Sequence, residues 1–424
     1  MNILSLAKQN EELLIYIRRK LHQIPELPKQ EFKTLAFIKE KLTEFGINYI
    51  EIEDGGVLAF IGKTNGKTVL LRADIDALPM QELPNNMKEQ KACPISKNNG
   101  IAHMCGHDAH TAMLLVSGKI LQENMDQLDG RVILLFERGE EGSDCMKYIL
   151  RYLEKENVRI DGCHALHVSP TYPAGKIAAK YGEVLAGSIG FDVVLNGKGG
   201  HGSRPDLSNS PLDCFNAICF DLNTVRMKNI SPLHTMTLSI GEVHYGTNWN
   251  IIAPQLNFVG GGRYFDREGA GIILRNRLID IVKKNAEIYG CTYTFNRLQG
   301  PSFGVVNNKE CVDVARTAID KYLGRDVLIE IEPEFASESM AMMMQRYPGV
   351  YCMLGVGNSE KGITSNPHNP MFDIDESALH FGVVSNIAYT LEFLNSDYKP
   401  EFKSFEGTGE EIYSAHRGIG FEHP

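Results

Sequence analysis

The chain has 424 residues and a mass of 47.3 kDa, more than one compact core usually holds, so two domains, or three, are expected. Hydrophobic residues make up 43% and charged residues 23%, which excludes collagen-like, coiled-coil and wholly disordered classes. Lys and Arg number 43 against 53 Asp and Glu, and the net charge of -10 argues against nucleic acid or an anionic membrane as a partner.

Cysteine usage and hydropathy bear on the compartment. Nine cysteines are scattered along the chain without a C-x-x-C pair, as is typical of free thiols in a reducing compartment. The first residues carry charges throughout and do not resemble a signal peptide. No apolar run is long enough to span a bilayer. We therefore expect a cytoplasmic protein without a membrane segment.

The first part of the chain predicts alternating helices and strands. Apolar residues at helical spacing indicate helices, and short β-branched runs such as RVILLF indicate buried strands. The alternation predicts an α/β sandwich with a largely parallel sheet. The predicted elements are helices at 5–24, 30–45 and 109–124, and strands at 47–52, 57–61, 68–74 and 131–136.

The pattern changes near Gly182. From there to about residue 298 the predicted order is β-α-β-β-α-β, which is that of a ferredoxin-like α+β unit. The helix–strand alternation then resumes, with helices at 308–323, 337–346 and 376–396 and strands at 327–331 and 350–355. We therefore expect a discontinuous first domain made of residues 1–181 and 299–396. We expect an inserted domain at 182–298 and a tail at 397–424.

Metal-binding residue types are densest in HMCGHDAHT, residues 103–111. Cys105 and His107 are two positions apart and would point to the same side of an extended backbone, as ligands of one ion or of two adjacent ions. Thiolate and imidazole suit Zn²⁺, Ni²⁺ or Mn²⁺. Asp108 stands where a helix begins, and capping is the role we predict for it.

Carboxylates follow two of the predicted strands. Glu140 and Glu141 come after RVILLF, and Asp74 and Asp76 come at the end of the strand that contains VLLRAD. Two glutamates in a turn are often only solvated. Sites in open α/β sheets, however, form at the carboxyl ends of strands, so a shared site explains all four carboxylates. One glutamate could then bind metal while its neighbour reaches a metal-bound water.

Two histidine positions lie farther along the chain. His164 and His167 are three residues apart, so on a strand only one of them can point inward, and that one is a candidate ligand. His368 lies in a predicted loop before the last helix and would be unremarkable alone.

Together these motifs resemble the metallo-aminoacylase and carboxypeptidase family, specifically its amidohydrolase branch. That branch includes hippurate hydrolases, indole-acetyl-amino-acid hydrolases, aminobenzoyl-glutamate hydrolases and N-acetyl-diaminopimelate deacetylases. The resemblance implies a zinc-peptidase-like α/β catalytic domain with an inserted ferredoxin-like lid that forms a homodimer. The matching stretches are RRKLHQIPEL (18–27), LLRADIDALPMQE (70–82), AHMCGHDAHTAMLL (102–115), GEEG (139–142), ALHVSP (165–170), GKGGHGSRPD (197–206) and HNPMFDIDE (368–376).

The resemblance also implies residue roles. Two divalent metal ions, of Zn, Mn, Ni or Co, would be bound by Cys105, His107, Glu141, His167 and His368. Glu140 would be the general acid and base, and Asp76 would orient a group that contacts metal. His201 would reach the active site of the partner subunit. Asn250 and Arg263 would hold the substrate's carboxylate, although a salt bridge within the lid is an alternative role for Arg263.

The expected function is hydrolysis of the amide bond of N-acyl amino acids. A dipeptidase or carboxypeptidase on the same scaffold is the alternative, and a non-catalytic binding protein is a third. Four departures from the usual pattern of the branch leave the substrate open. The chain has Glu137-Arg138-Gly139 for Gln-Pro-Ala, Glu338-Ser339-Met340 for Glu-Asp-Phe, Asp206 for a histidine, and Gly261-Gly262 for Gly-Thr.

Overall fold

The computed structural model describes residues 1–142 and 145–419, so the last five residues of the predicted tail lie outside the described residues. The chain divides into two compact units, each formed by segments that are separate in sequence. Unit 1 comprises Met1–Val184, Val306–Glu332 and Ser339–Glu410. Unit 2 comprises Leu185–Val305, Pro333–Glu338 and the residues from Glu411 on.

The helices and strands of the described residues follow in chain order. The α-helices are α1 (Ile3–Gln9), α2 (Glu11–His22), α3 (Phe32–Glu44), α4 (His107–Glu123), α5 (Met146–Lys155), α6 (Pro211–Lys228), α7 (Ile272–Ile288), α8 (Lys309–Leu323), α9 (Met340–Arg346), α10 (Leu379–Asn395) and α11 (Gly409–Arg417). The strands are β1 (Asn48–Ile52), β2 (Gly56–Gly62), β3 (Lys67–Asp74), β4 (Gly130–Glu137), β5 (Gly162–Pro173), β6 (Ile177–Ala178), β7 (Gly182–Leu185), β8 (Gly187–Asn196), β9 (Gly200–His201), β10 (Met236–Tyr245), β11 (Ile251–Ile252), β12 (Gln255–Tyr264), β13 (Thr292–Gln299), β14 (Val305–Asn307) and β15 (Gly349–Gly357).

A mixed sheet forms the centre of unit 1, with the order β1-β2-β4-β3-β5-β15-β6 across the described residues. The pairs β4–β3, β3–β5 and β5–β15 are parallel, and the outer pairs are antiparallel. The central strands are buried along almost their whole length, as expected for strands covered on both faces. The predicted α/β class is confirmed, but the sheet is mixed rather than largely parallel.

Two predicted elements of unit 1 differ in the structure. The predicted helix at 5–24 is two helices, because the Asn10 side chain donates to the Leu6 carbonyl at 2.9 Å and competes with the helix backbone. The predicted strand at 327–331 is wrong: Leu328 makes one parallel bridge to Ile177 in the described structure. The adjoining edge strand β6 is two residues long, so no longer ladder can form.

Unit 2 contains an antiparallel sheet with the order β10-β12-β8-β13 in the described residues. Helices α6 and α7 pack against each other and against strands of this sheet. Burial alternates residue by residue along β8, which indicates that one face of the sheet is covered. The element order β8-α6-β10-β12-α7-β13 and this strand order are those of a ferredoxin-like unit.

Two further features concern the cysteines and the hydropathy of the helices. The nine cysteines are all free thiols in the structure. None of the helices in the described part of the chain combines the length and apolar character required to cross a bilayer.

Candidate metal site

Unit 1 brings the predicted metal ligands to one edge of its sheet. Asp74 ends β3, and Glu140 and Glu141 lie in the turn that follows β4. His167 lies in β5, and His107 is the first residue of α4. Parallel pairing of β3 with β4 and β5 aligns the carboxyl ends of these strands, so the side chains converge there.

Their donor atoms form overlapping groups of three. Within each group, one ligand atom from every residue lies within 4.8 Å of the others. Metal–donor bonds of about 2.0–2.3 Å place two donors of one ion no more than about 4.6 Å apart, so little movement is needed to bind an ion. Three groups contain only the predicted ligands and Glu140: Cys105 with His107 and His167, Cys105 with Glu141 and His368, and His107 with Glu140 and Glu141. A fourth group joins Asp74 with His107 and His110.

His107 is oriented by Asp76. The Nδ1–H of His107 donates to Asp76 Oδ1 at 3.2 Å, and the backbone N–H of Glu141 donates to Asp76 Oδ2 at 2.9 Å. This leaves the buried Nε2 of His107 without a hydrogen-bond partner in the described structure. A carboxylate that holds one nitrogen of a histidine while the other faces a cluster of donors is the usual arrangement behind a metal ligand. The residues therefore fit a metal ion.

His167, rather than His164, faces the cluster. A carbonyl can only accept, so Nδ1 of His167 donates to Val168 O at 2.8 Å, and Nε2 of the same ring lies 3.5 Å from Cys105 Sγ. His164 is buried elsewhere in the core, with its ring 4.9 Å from that of Tyr389.

His368 reaches the cluster from a loop. Its Nε2 lies 3.1 Å from Glu141 Oε1, and its backbone N–H donates to the Met104 carbonyl at 2.8 Å. The residue has a φ of 61°, an uncommon conformation for a side chain other than glycine. The backbone bond to Met104 fixes this loop beside the segment that carries Cys105 and His107.

Neighbouring groups of opposite charge shift the pKa values within the cluster. Burial lowers the pKa of His107, but the charge of Asp74 and the hydrogen bond to Asp76 outweigh it and hold the pKa well above its usual value. Burial raises the pKa of Glu141, but the hydrogen bond from His368 and the charge of His107 outweigh it and lower the pKa. Burial raises the pKa of the Cys105 thiol well above normal, so metal binding there must displace a proton.

His110 and Asp74 are close to the cluster but already engaged. Nδ1–H of His110 donates to Asp74 Oδ1 at 2.6 Å, and its Nε2 accepts from the Val168 N–H at 2.9 Å. Arg72 donates to the second oxygen of Asp74 at 2.8 Å. Both ring nitrogens of His110 are therefore used, and we interpret the pair as support for β3 and β5 rather than as ligands.

Two details of the 103–111 segment differ from expectation. Cys105 and His107 are joined by a turn rather than an extended backbone, since Gly106 has a φ of 91°. A Cβ at Gly106 would also collide with a methyl group of Val168, so only glycine fits. The predicted capping by Asp108 is wrong, because Gly106 is the N-cap and Asp108 lies inside the first turn of α4.

Asp108 instead belongs to a buried ionic network that sequence reasoning missed. Its Oδ2 accepts from Arg18 Nε and from His22 Nδ1, each at 2.8 Å. Arg18 also contacts Glu376 at 3.2 Å, so α2 connects the segment of His107 with the segment that follows His368. The sequence did contain a sign of this network. Arg18 and His22 are one helical turn apart, and both lie in the stretch 18–27 that resembles the family.

The three candidate residues of the inserted segment lie in unit 2. His201 in β9 pairs with Ile251 in β11, and the N–H of Gly202 donates to the Asn250 carbonyl at 2.8 Å, so His201 and Asn250 are neighbours. His201 is exposed, and its Nδ1 contacts Ser203 Oγ at 2.8 Å. Arg263 lies on β12 and donates to Ser337 Oγ at 2.7 Å.

The chain is similar in sequence and in structure to several known proteins. The chain is 33% identical over 397 residues to thermostable carboxypeptidase 2 of Saccharolobus solfataricus, covering 92% of this chain and 97% of the relative. It is 31% identical over 417 residues to the IAA-amino acid hydrolase ILR1-like 2 of Arabidopsis thaliana, covering 97% of this chain and 92% of the relative. The structure is similar to the crystal structure of Bacillus subtilis YxeP, a dinuclear metal-binding peptidase of the M20 family. The TM-score is 0.75 at 26% identity, and the match covers 91% of this chain and 99% of YxeP.

A family model also matches the chain. The model described as peptidase family M20/M25/M40 matches residues 70–389, which include Cys105, His107, Glu140, Glu141, His167 and His368. This match spans most of unit 1 and the whole of the ferredoxin-like sheet. The chain belongs to peptidase family M20/M25/M40.

Proposed function

We propose that the protein is an amidohydrolase that uses two divalent metal ions to cleave the amide bond of N-acyl amino acids. Its family hydrolyses amide or peptide bonds, and its relatives include an indole-acetyl-amino-acid hydrolase as well as a carboxypeptidase. The observation that carries the proposal is the convergence of five candidate ligands with Glu140, in groups whose donor atoms lie within 4.8 Å.

The proposed ligands are Cys105, His107, Glu141, His167 and His368, which form two groups that share Cys105. The mixture of sulfur, nitrogen and oxygen donors suits Zn²⁺, Mn²⁺, Ni²⁺ or Co²⁺. When bound, a pair of such ions polarises an amide carbonyl and lowers the pKa of an attacking water from 15.7 toward about 7.

Glu140 supplies proton transfer in this proposal. Its carboxylate shares a group with His107 and Glu141. There it would accept a proton from the attacking water and then deliver it to the nitrogen of the leaving amine, which is a poor leaving group without that proton. His201 would stabilise the negative charge that develops on the carbonyl oxygen.

Arg263 is proposed to bind the substrate's carboxylate together with Asn250. A guanidinium offers five donors in a planar fork, and the contact recorded for Arg263 is one hydrogen bond to Ser337 Oγ. Burial lowers the pKa of Arg263, which indicates a partly desolvated cation that gains from an added anion.

A homodimer is proposed from the edge of the unit 2 sheet. Strand β10 is ten residues long and pairs with β12 on one side only in the described structure. Helix α6, which contacts strands β12 and β8 of the same sheet, exposes Phe220 and Met227 by 72% and 77%. A second copy could add its own β10 antiparallel to this edge and cover these apolar side chains, which is a self-complementary two-fold interface.

A His201→Ala variant is expected to lose about 10²–10³-fold in kcat, because an oriented donor to the oxyanion is removed. If His201 acts across the dimer, His201→Ala mixed with Glu140→Gln should regain activity, since one of the two sites of each heterodimer is then complete. Activity should approach about half that of the wild-type dimer. Verified heterodimers that stay inactive would exclude the shared site.

An Asp76→Ala variant is expected to bind metal about 10–100-fold more weakly, because Asp76 orients both His107 and the backbone of Glu141. Competition with a chromophoric chelator measures this affinity. Asp126→Ala, at an exposed position, is the matched control. An unchanged affinity in the Asp76 variant would rule out this positioning role.

Elemental analysis and a substrate panel test the function. The purified protein is reconstituted with each of the four metals and assayed with N-acetyl amino acids, N-benzoyl amino acids and dipeptides. We expect about two ions per chain and the highest kcat/KM on N-acyl amino acids. Preference for dipeptides would favour a peptidase instead, and absence of turnover in the metal-loaded protein would contradict the proposal.

A further inference from the structure

A buried cluster of polar side chains lies directly beside Glu140. Arg72 Nε donates to Glu137 Oε2 at 2.7 Å, and the Nη2 of Arg72 donates to Ser339 Oγ at 3.0 Å. The hydroxyl of Ser339 in turn donates to Glu137 Oε1 at 2.7 Å. The backbone N–H of Ser339 donates to Glu140 Oε1 at 3.2 Å. Arg72, Glu137 and Ser339 are all buried.

These contacts fix Ser339 from two directions. Its oxygen accepts from a guanidinium and its hydroxyl proton is given to a carboxylate, so rotation of the side chain would break a hydrogen bond to a charged group on either side. Such bonds are roughly twice as strong as bonds between neutral groups. Because the side chain is held, the backbone N–H of the same residue is held too, and it is this N–H that reaches Glu140.

Positions 137 and 339 are also two of the positions where the chain departs from the enzymes that it resembles. The resemblance described above implies glutamine at the position of Glu137 and aspartate at the position of Ser339. The two side chains touch here at 2.7 Å. Relative to that implied pair, this chain has one carboxylate at these two positions as well, and Arg72 contacts it in addition to Asp74.

We propose that Ser339 is a positioning residue that orients the Glu140 carboxylate through its backbone N–H, and that the single carboxylate shared by positions 137 and 339 holds Ser339 in place. This inference rests on the proposed function, in which Glu140 transfers protons. A purely structural role of the cluster would change stability or metal content without a specific effect on kcat.

An exchange of the two side chains tests the inference. Glu137→Gln leaves positions 137 and 339 without a carboxylate that can face Arg72. Ser339→Asp places a second carboxylate in contact with that of Glu137. Each single variant is expected to lose at least about 10-fold in kcat, with smaller changes in KM and with normal metal content. The double variant E137Q/S339D restores one carboxylate and should recover most of the loss, since contacting residues commonly couple by factors of about 2–150.

The outcomes separate the inference from the proposed function. The inference is overturned if neither single variant has a lower kcat, or if the loss of kcat follows metal content or unfolding temperature. It is also overturned if the kcat of the double variant is no higher than that of the worse single variant. Wild-type protein that hydrolyses no amide in the panel would contradict the proposed function instead.

A second variant avoids any change of charge. Ser339→Ala keeps Glu137 and Arg72 paired but removes the hydroxyl, and about a 10-fold loss of kcat is expected if Glu140 becomes misaligned. Ser117→Ala, at another buried serine of unit 1, is the matched control and should keep full activity. Crystal structures give a readout without a substrate: the distance from Ser339 N to Glu140 Oε1 should increase beyond 3.2 Å in the alanine variant. An unchanged distance overturns the inference.

Discussion

Replacement of Glu140 by glutamine is expected to leave both metal ions bound and to lower kcat by about 10²–10⁴-fold or more. Glutamine has nearly the same shape as glutamate and can still accept the hydrogen bond from the Ser339 N–H, but it cannot take a proton from water. KM should change far less than kcat, because the lost interaction develops in the transition state. Steady-state assays with elemental analysis of the same sample measure both effects.

The matched control for this prediction is Glu156→Gln, which removes the same charge at an exposed position of unit 1. It should behave like the wild type. Near-full activity of the Glu140 variant would remove Glu140 from proton transfer. A loss of activity that parallels a loss of metal would assign Glu140 to metal binding, a role that its position beside His107 and Glu141 also permits.

Replacement of Cys105 by alanine is expected to lower the metal content and to reduce activity by about 10³-fold or more. Cys105 belongs to two of the donor groups, so its thiolate would help to hold the metal ions, which would supply several kcal/mol of transition-state stabilisation. Activity of the variant should not return at metal concentrations that saturate the wild type. Equilibrium dialysis with elemental analysis, followed by assay, measures this.

Cys219→Ala is the control for loss of a thiol, because Cys219 lies in α6 of unit 2 and in none of the donor groups. Removal of metal from the wild type by a chelator should reproduce the inactive state, and added metal should reverse it. A Cys105 variant with two ions and unchanged turnover would exclude the thiolate as a ligand.

Much of the site was predictable because its residue types are rare in combination. Three histidines and a cysteine within 103–111, and carboxylates after two strands, indicate metal chemistry before any contact is known. The carboxyl-end rule for α/β sheets then brings Asp76, Glu141 and His167 to the same edge. The roles of these residues stay predictions until the variants are measured.

The features of the site and the fold that were not predicted depend on contacts between segments that are distant in sequence. Asp108 has the sequence context of a helix cap, and only the positions of Arg18 and His22 show that its carboxylate serves a buried network. The complementarity of Glu137 and Ser339 joins residues 202 positions apart, so neither residue alone indicates it. The predicted strand at 327–331 failed because a strand needs a neighbour of comparable length, which its own sequence does not specify.

The order of the proposed ligands along the chain has a consequence for biosynthesis. Cys105, His107, Glu141 and His167 precede unit 2's long segment Leu185–Val305, whereas His368 follows it. A nascent chain that has emerged only to residue 305 therefore exposes four donors and lacks the fifth. Closing a loop of that length is slow relative to local folding, so stable ion capture should be among the last events of maturation. Early truncation would yield a chain that binds metal loosely and exchanges it with the surroundings.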